Sequence, residues 1–131
     1  MKTKNEVLRE LFIENGLVKG EDTHELKFGS KALTIITRSG IEKIQYHNDI
    51  EVSYKLESIN PEFVVVKATA VKDDVRIESY GEASPANTKQ AYPVAMAEKR
   101  ALSRVVLKIA GFYKFGVFGE DESDDFKEKV A

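Results

Sequence analysis

The stretch from Ala91 to Phe112, AYPVAMAEKRALSRVVLKIAGF, limits the fold more than any other part of the chain. It reads as one helix, yet small and aliphatic groups recur on nearly every side of it. Lys99, Arg100, Arg104 and Lys108 are threaded between them. A helix of this kind needs an apolar layer to lie on. At about 100° per residue, Ala91, Ala95, Leu102, Val105, Val106 and Ile109 share one face, and that face is expected to pack on a sheet. Glu98 falls inside it, where a carboxylate needs a loop N–H or a base such as Lys67 or Arg76. Arg100, Arg104 and Lys108, four residues apart each time, make a slowly drifting basic stripe on the opposite side. Met96, Ala97, Ser103 and Leu107 flank that stripe. The plain reading is a surface helix with a few exposed apolar groups. The sharper one sets Met96 and Leu107 against a neighbouring subunit and the cations against a polyanion. Pro93 belongs in or near the first turn, where its missing N–H does no harm. The helix is expected from near Lys89 to near Gly111, which supplies the C′ position.

The residues before it change period. Thr3 can cap a first helix, with Glu6 placed as in a capping box and Val7, Leu8, Leu11 and Phe12 as its stripe; Gly16 ends it. Leu17 to Gly29 reads as a connecting loop. KALTIITRSGIEKIQYHND reads as two strands joined at Ser39-Gly40. In IEVSYKLESI, Val52, Tyr54 and Leu56 alternate with Ser53, Lys55 and Glu57. In EFVVVKATAV, Val64, Val66, Ala68 and Ala70 alternate with Phe63, Val65, Lys67 and Thr69, as in a central strand. Asn60-Pro61 and Lys72-Asp73-Asp74 are turns, VRIESYG is the last strand, and EASPANTK is a polar loop with Ser84-Pro85 as a breaker. The class expected is α+β: an N-terminal helix, an antiparallel meander of about five strands, and a long C-terminal helix packed on it.

At 131 residues the chain fits one domain, drawn here as residues 1–119. The last twelve residues, EDESDDFKEKVA, hold six acids and two bases, a net of −4, so the total of −2 leaves +2 for the rest. That tail, 120–131, is expected to be disordered. It is a solvated terminus, a competitor of the polyanion for the basic groove, or a docking segment for a replication or recombination partner, Phe126 included. The absence of cysteine excludes disulfides and thiolate metal sites, and two histidines, His24 and His47, are too few for a histidine-rich metal site. His47-Asn48-Asp49 reads as a turn. No apolar run reaches a membrane span, and MKTKNEVLRELF lacks the apolar core of a signal peptide. A cytoplasmic protein without metal or cofactor is expected.

AEKRALSRVVLKIAGF resembles the helix of phage single-strand annealing proteins of the essential recombination function (Erf) family. Their pattern is Ala-Glu-x-x-Ala-aliphatic-Gly-Arg-Ala-Leu-x-x-x-Gly. Ala97, Glu98, Ala101, Leu102, Arg104 and Gly111 match it; Ser103 stands for the glycine, and Val105-Val106 for Ala-Leu. The eukaryotic Rad-type annealing proteins carry a similar unit, in which a valine-rich strand pair leads through a GYG-like turn and a polar loop to a long basic helix. FVVVKATAVKDDVRIESYGEAS followed by the helix looks like that unit, so the resemblance covers about Val52 to Phe112. It implies a β-β-β-α core that assembles into rings or filaments. Single-stranded DNA would lie in a basic groove along the assembly, and complementary strands would be annealed without ATP.

The residue types needed for such binding are present. Lines of Lys or Arg neutralise phosphates, and aromatic rings stack on bases. The phosphate candidates are Arg100, Arg104 and Lys108, with Lys99, Lys89, Lys67, Lys55 and Arg76. The stacking candidates are Tyr80, Tyr92, Phe112 and Tyr113. No Walker-type motif is present: GFYKFG has the wrong spacing and lacks the Lys-Ser/Thr end. No nucleophile–base pair is evident, so no enzyme is expected. The alternatives are a single-strand coating protein that does not anneal, and a phage protein-binding module such as an inhibitor of a host defence system.

Overall fold

The computed structural model describes residues 2–28, 31–60, 63–84 and 93–120. Thr3 opens helix α1 (Lys4–Glu14), its hydroxyl accepting the Glu6 N–H at 3.2 Å. Leu8, Leu11 and Phe12 pack against the core as one stripe, and Gly16, with φ +66°, ends the helix. Start and stop are those predicted, and the stripe is too except for Val7, which is not among the residues packed on the core.

The next two segments differ from the sequence reading. Strand β1 (Thr23–Phe28) occupies the expected loop and pairs antiparallel with β2 (Lys31–Ile36). After β2 the chain forms helix α2 (Arg38–His47), where the second strand of a hairpin was expected. Two local forces decide this. The Thr37 hydroxyl accepts the Gly40 N–H at 3.3 Å as an N-cap, and Ile41 and Ile44 bury at helical spacing. Ser39-Gly40 is therefore a first helical turn. It is fastened by Asp22, which is 1% exposed and accepts the Val18 N–H at 2.8 Å, the Ser39 hydroxyl, and the Lys43 ammonium at 2.5 Å. Burial pushes the Asp22 carboxyl up, but the hydrogen bonds from Lys43, Ser39 and Val18, with the Lys43 charge, outweigh it and hold it below the usual carboxylate range. His47, Asn48 and Asp49 end α2, Asp49 turning the chain at φ +53°.

Strands β3 (Glu51–Asn60), β4 (Phe63–Lys72) and β5 (Val75–Ala83) form the predicted antiparallel meander with β4 at its centre. Val64, Val66, Ala68 and Ala70 point to the core with at most 4% exposure. The register shifts between Leu56 and Ser58, which makes Glu57 an extra residue in β3. Helix α3 spans Pro93–Ile109, and Gly111, at φ +88°, supplies its C′ position. The expected start near Lys89, with Ala91, lies outside the described residues, as do residues 85–89 of the loop before it; Glu82 and Ala83, expected in that loop, instead continue β5. A 3-10 turn at Tyr113–Phe115 leads to β6 (Phe118–Gly119), which pairs parallel with β2. The α+β class, the N-terminal helix and the C-terminal helix on an antiparallel sheet all stand. The strands are divided, however, between β1-β2-β6 and β3-β4-β5, so the sheet under α3 has three strands, not five.

α3 is the centre of the molecule. It lies across β4 and β5 and meets α2 and β6 on its other sides. This is why it is apolar all round: Ala97, Ala101, Val105, Val106 and Leu107 are each 0% exposed. The flank expected to face a sister subunit is therefore interior. Leu107 is core, and Met96 packs partly buried against it. Ala95 and Glu98, expected on the sheet face, are exposed. The small residues that let the helix lie close are Ala97 and Ala101, which meet Gly81 of β5. On the opposite side Gly119 meets Ser103, where an added β-carbon would stand 2.9 Å from the Ser103 hydroxyl. Glu120 follows, its carboxylate accepting the Arg38 N–H at 2.7 Å at the start of α2. The rest of the acidic tail lies outside the described residues. Among the described residues no helix is long and apolar enough to cross a membrane.

Candidate nucleic-acid interface

The basic stripe of α3 faces the outer edge of β5 instead of standing opposite the sheet. Arg100 is 3% exposed and donates to the Glu82 carbonyl at 2.7 Å. Arg104 donates to the Tyr80 carbonyl at 2.7 Å and grips the Glu82 carboxylate with two bonds, at 2.8 and 3.0 Å. Lys108 donates to the Ser79 hydroxyl at 3.0 Å and stands 5.3 Å from the Tyr113 ring centre. The match is metric. Four helical residues advance about 6 Å and two strand residues about 6.8 Å, so a four-residue spacing can serve alternate residues of a neighbouring strand. Among the described residues β5 is an edge strand, and alternate carbonyls of an edge have no strand partner. The arginines supply those donors. The forked bond from Arg104 comes first in holding the Glu82 carboxyl below the usual range. Burial opposes it, and the charges of Arg104 and Arg100 assist.

The helix candidates thus separate from one another. Arg100 and Arg104 are committed to β5, Lys108 is exposed but tied to Ser79, and Lys99 is exposed on the outer turn of α3. Phe112 is 0% exposed and stacks on Phe12, with ring centres 5.9 Å apart, so it is core and not a base platform. Tyr113 lies edge-on to Phe118. Lys89 and Tyr92 lie outside the described residues.

The sheet candidates do come together, on the face of β3-β4-β5 turned away from α3. In the ladder Lys55 stands opposite Lys67, and Lys67 opposite Tyr80, so two cations and a phenol ring form one row across three strands. Directly opposed residues of an antiparallel pair share a face. Tyr80 is 50% exposed, and the Lys55 and Arg76 side chains are 69% and 68% exposed. Arg76 extends the same face along β5. Phe63, 45% exposed, belongs to it as well. The period of two already grouped Phe63 with Lys67; its aromatic surface was the unused signal.

Opposed lysines repel. Here Glu57, the bulge residue, lies between them, 3.9 Å from the Lys55 ammonium and 3.8 Å from that of Lys67. Glu78 is 3.8 Å from Lys67 and 3.3 Å from Arg76. Contacts of 3.8–3.9 Å are ion pairs without hydrogen bonds. On an exposed face such pairs contribute about 0–1 kcal/mol. Phosphate oxygens can therefore replace the carboxylates at little cost. Another acid of the face, Glu82, is already taken by Arg104.

Comparison of the chain with protein-family models, with curated proteins and with solved structures finds no match in any of the three.

Proposed function

We propose that the chain binds single-stranded DNA on the open face of β3-β4-β5 and anneals complementary strands without ATP, as an assembly of identical subunits in the cytoplasm. The observation that carries this reading is the row Lys55–Lys67–Tyr80 on a sheet face that no element covers among the described residues. Lys55, Lys67 and Arg76 neutralise phosphates, and Tyr80 and Phe63 offer stacking surfaces that accept any base. The order of three strands and a packed helix agrees with the resemblance to the Erf and Rad-type annealing proteins. In the matched pattern, Ala97 and Ala101 seat the helix on Gly81, Arg104 closes the β5 edge, and Gly111 ends the helix.

The mechanism is physical. A strand held by its phosphates has its bases free to test a second strand, and pairing and stacking supply the free energy. A single subunit with about three cations binds weakly; repeated subunits along one strand raise the effective concentration of each contact. The test is fluorescence anisotropy of a labelled oligonucleotide at low salt, followed by timing of duplex formation from complementary oligonucleotides. Binding with faster duplex formation, lost when Lys55 and Lys67 become glutamate, supports the proposal. Binding with no acceleration leaves a coating protein, and no binding at low salt leaves the sheet face to a protein partner.

A further inference from the structure

The two edges of the β3-β4-β5 sheet are unlike. Arg100 and Arg104 cover the outer carbonyls of β5. β3, ten residues long, has no strand on its outer side among the described residues. Every residue from Ser53 to Glu57 is exposed, on both faces of the sheet. Tyr54 and Leu56, 43% and 47% exposed, stand on the side that carries α3, beyond the strands that α3 covers. A long edge with apolar side chains is a template for another strand.

We propose that this edge pairs with the β3 edge of a second copy, antiparallel about a two-fold axis at Ser53. The sequence of the edge is self-complementary in that register. Lys55 meets Glu51 of the second copy, Tyr54 meets Val52, and Ser53 meets Ser53. The symmetry repeats each pair. Opposite charges and aromatic–β-branched pairs are the favourable cross-strand combinations. The faces agree too, because Glu51, Ser53 and Lys55 share the open face while Val52, Tyr54 and Leu56 share the other. Centring the pair on Tyr54 instead sets Glu51 against Glu57, and centring it on Lys55 sets the lysines against each other. The bulge between Leu56 and Ser58 ends the pairing on that side. A lysine on an edge ordinarily prevents strand addition; the Ser53 register, unlike those centred on Tyr54 and Lys55, turns Lys55 into an attraction. Because the β5 edge is closed by arginine, strand addition through β3 stops at two copies and does not grow into a fibre. The product is one continuous six-stranded sheet whose open faces, with both Lys55–Lys67–Tyr80 rows, lie side by side. This deepens the assembly part of the proposed function, yet the dimer stands or falls without DNA.

The experiment is the mass of the particle in solution, by sedimentation or light scattering, without DNA and over a range of concentrations. The wild type is expected to approach twice the mass of one chain as concentration rises. Lys55→Glu and Glu51→Lys, each opposing like charges, are each expected to remain single. An equimolar mixture of the two variants restores opposite charges at every crossing and recovers the doubled mass. Circular dichroism melts confirm that both exposed substitutions leave the fold intact. A wild type that stays single at all concentrations overturns the proposal. So does an assembly whose mass neither substitution changes, or a mixture that does not recover. The DNA reading is separated by Glu51→Lys, which keeps every cation of the sheet face. Loss of the dimer with oligonucleotide binding retained supports the edge contact alone; an intact dimer that binds no oligonucleotide sinks only the DNA reading.

Discussion

Gly81 and Ala97 touch backbone to backbone: a β-carbon added to Gly81 would stand 2.0 Å from the Ala97 carbonyl oxygen and 2.4 Å from the Ala101 nitrogen. No side-chain rotation relieves a clash with a helix backbone, so Gly81→Ala must push α3 off β5. The expected loss is about 1–3 kcal/mol or more, read as a lower urea midpoint with little change in slope. Gly116→Ala is the contrast. Its β-carbon meets nothing within 4 Å, so only the left-handed backbone at φ +75° resists it. That strain costs about 1–2 kcal/mol. Equal effects at the two sites would remove the close approach as the reason for Gly81.

Acid should weaken the fold through Glu82 and Asp22. Both carboxyls are held below their ordinary values, Glu82 first by the forked bond from Arg104 and Asp22 by hydrogen bonds that overcome its burial. A carboxyl lowered by folding contributes its stability above the unfolded value, about 4, and loses it as pH falls through the folded value. The urea midpoint should be flat near neutrality and fall below about pH 4. Glu82→Gln is expected to lower stability at pH 7 and to flatten the acid limb. Asp22→Asn should flatten it separately, because the two sites share no partner. An acid limb that neither substitution changes would refute the assignment.

The sequence carried the meander and the ends of both flanking helices because those signals are local. Period-two alternation in Glu51–Asn60 and Phe63–Lys72, the Thr3 cap and the Gly111 stop need no knowledge of neighbours. α2 was hidden because Ser39-Gly40 alone imitates a turn and Asp22 fastens it from another segment; the Thr37 cap and the helical spacing of Ile41 and Ile44 were its local signals. The site was half legible for the same reason. Alternation groups Lys67 with Phe63, and the ladder then adds Lys55 and Tyr80. Which side of α3 is outside cannot be read from a helix apolar all round: β6, two residues long, and α2 cover the flank that holds Leu107 and Ser103. The four-residue spacing of Arg100, Arg104 and Lys108 equally suits a phosphate chain or a strand edge. Glu82 and the bare carbonyls of β5 decided between them.

The burial of Leu107 sets a prediction that separates packing from assembly. Leu107→Ala removes atoms from a fully enclosed site and is expected to cost about 2–5 kcal/mol. Leu107→Glu should prevent folding, since an unpaired carboxylate would enter the core. Lys99→Ala, on the exposed side of the same helix, should change stability by no more than about 0.5 kcal/mol. Thermal melts of the three variants check the order. A folded Leu107→Glu protein with altered particle mass would put this residue back at a subunit surface.

Charge and stacking on the open sheet face act on different parts of a salt titration. Each lost phosphate contact lowers the slope of log affinity against log salt by about 0.7 for a single strand. Lys55→Gln and Lys67→Gln are therefore expected to flatten the slope singly and to add in the double variant. Tyr80→Ala removes a ring and no charge, so it should leave the slope unaltered while weakening binding at every salt concentration. The loss expected for one stacked base is about 1–3 kcal/mol. Tyr80→Phe keeps the ring and should bind as the wild type does. Arg100→Gln supplies the internal control: its guanidinium is buried on the Glu82 carbonyl, so the substitution should lower the melting temperature without altering the slope. If the slope responds to Arg100 and not to Lys55 or Lys67 in folded proteins, the strand runs along α3 and the sheet face is not the interface.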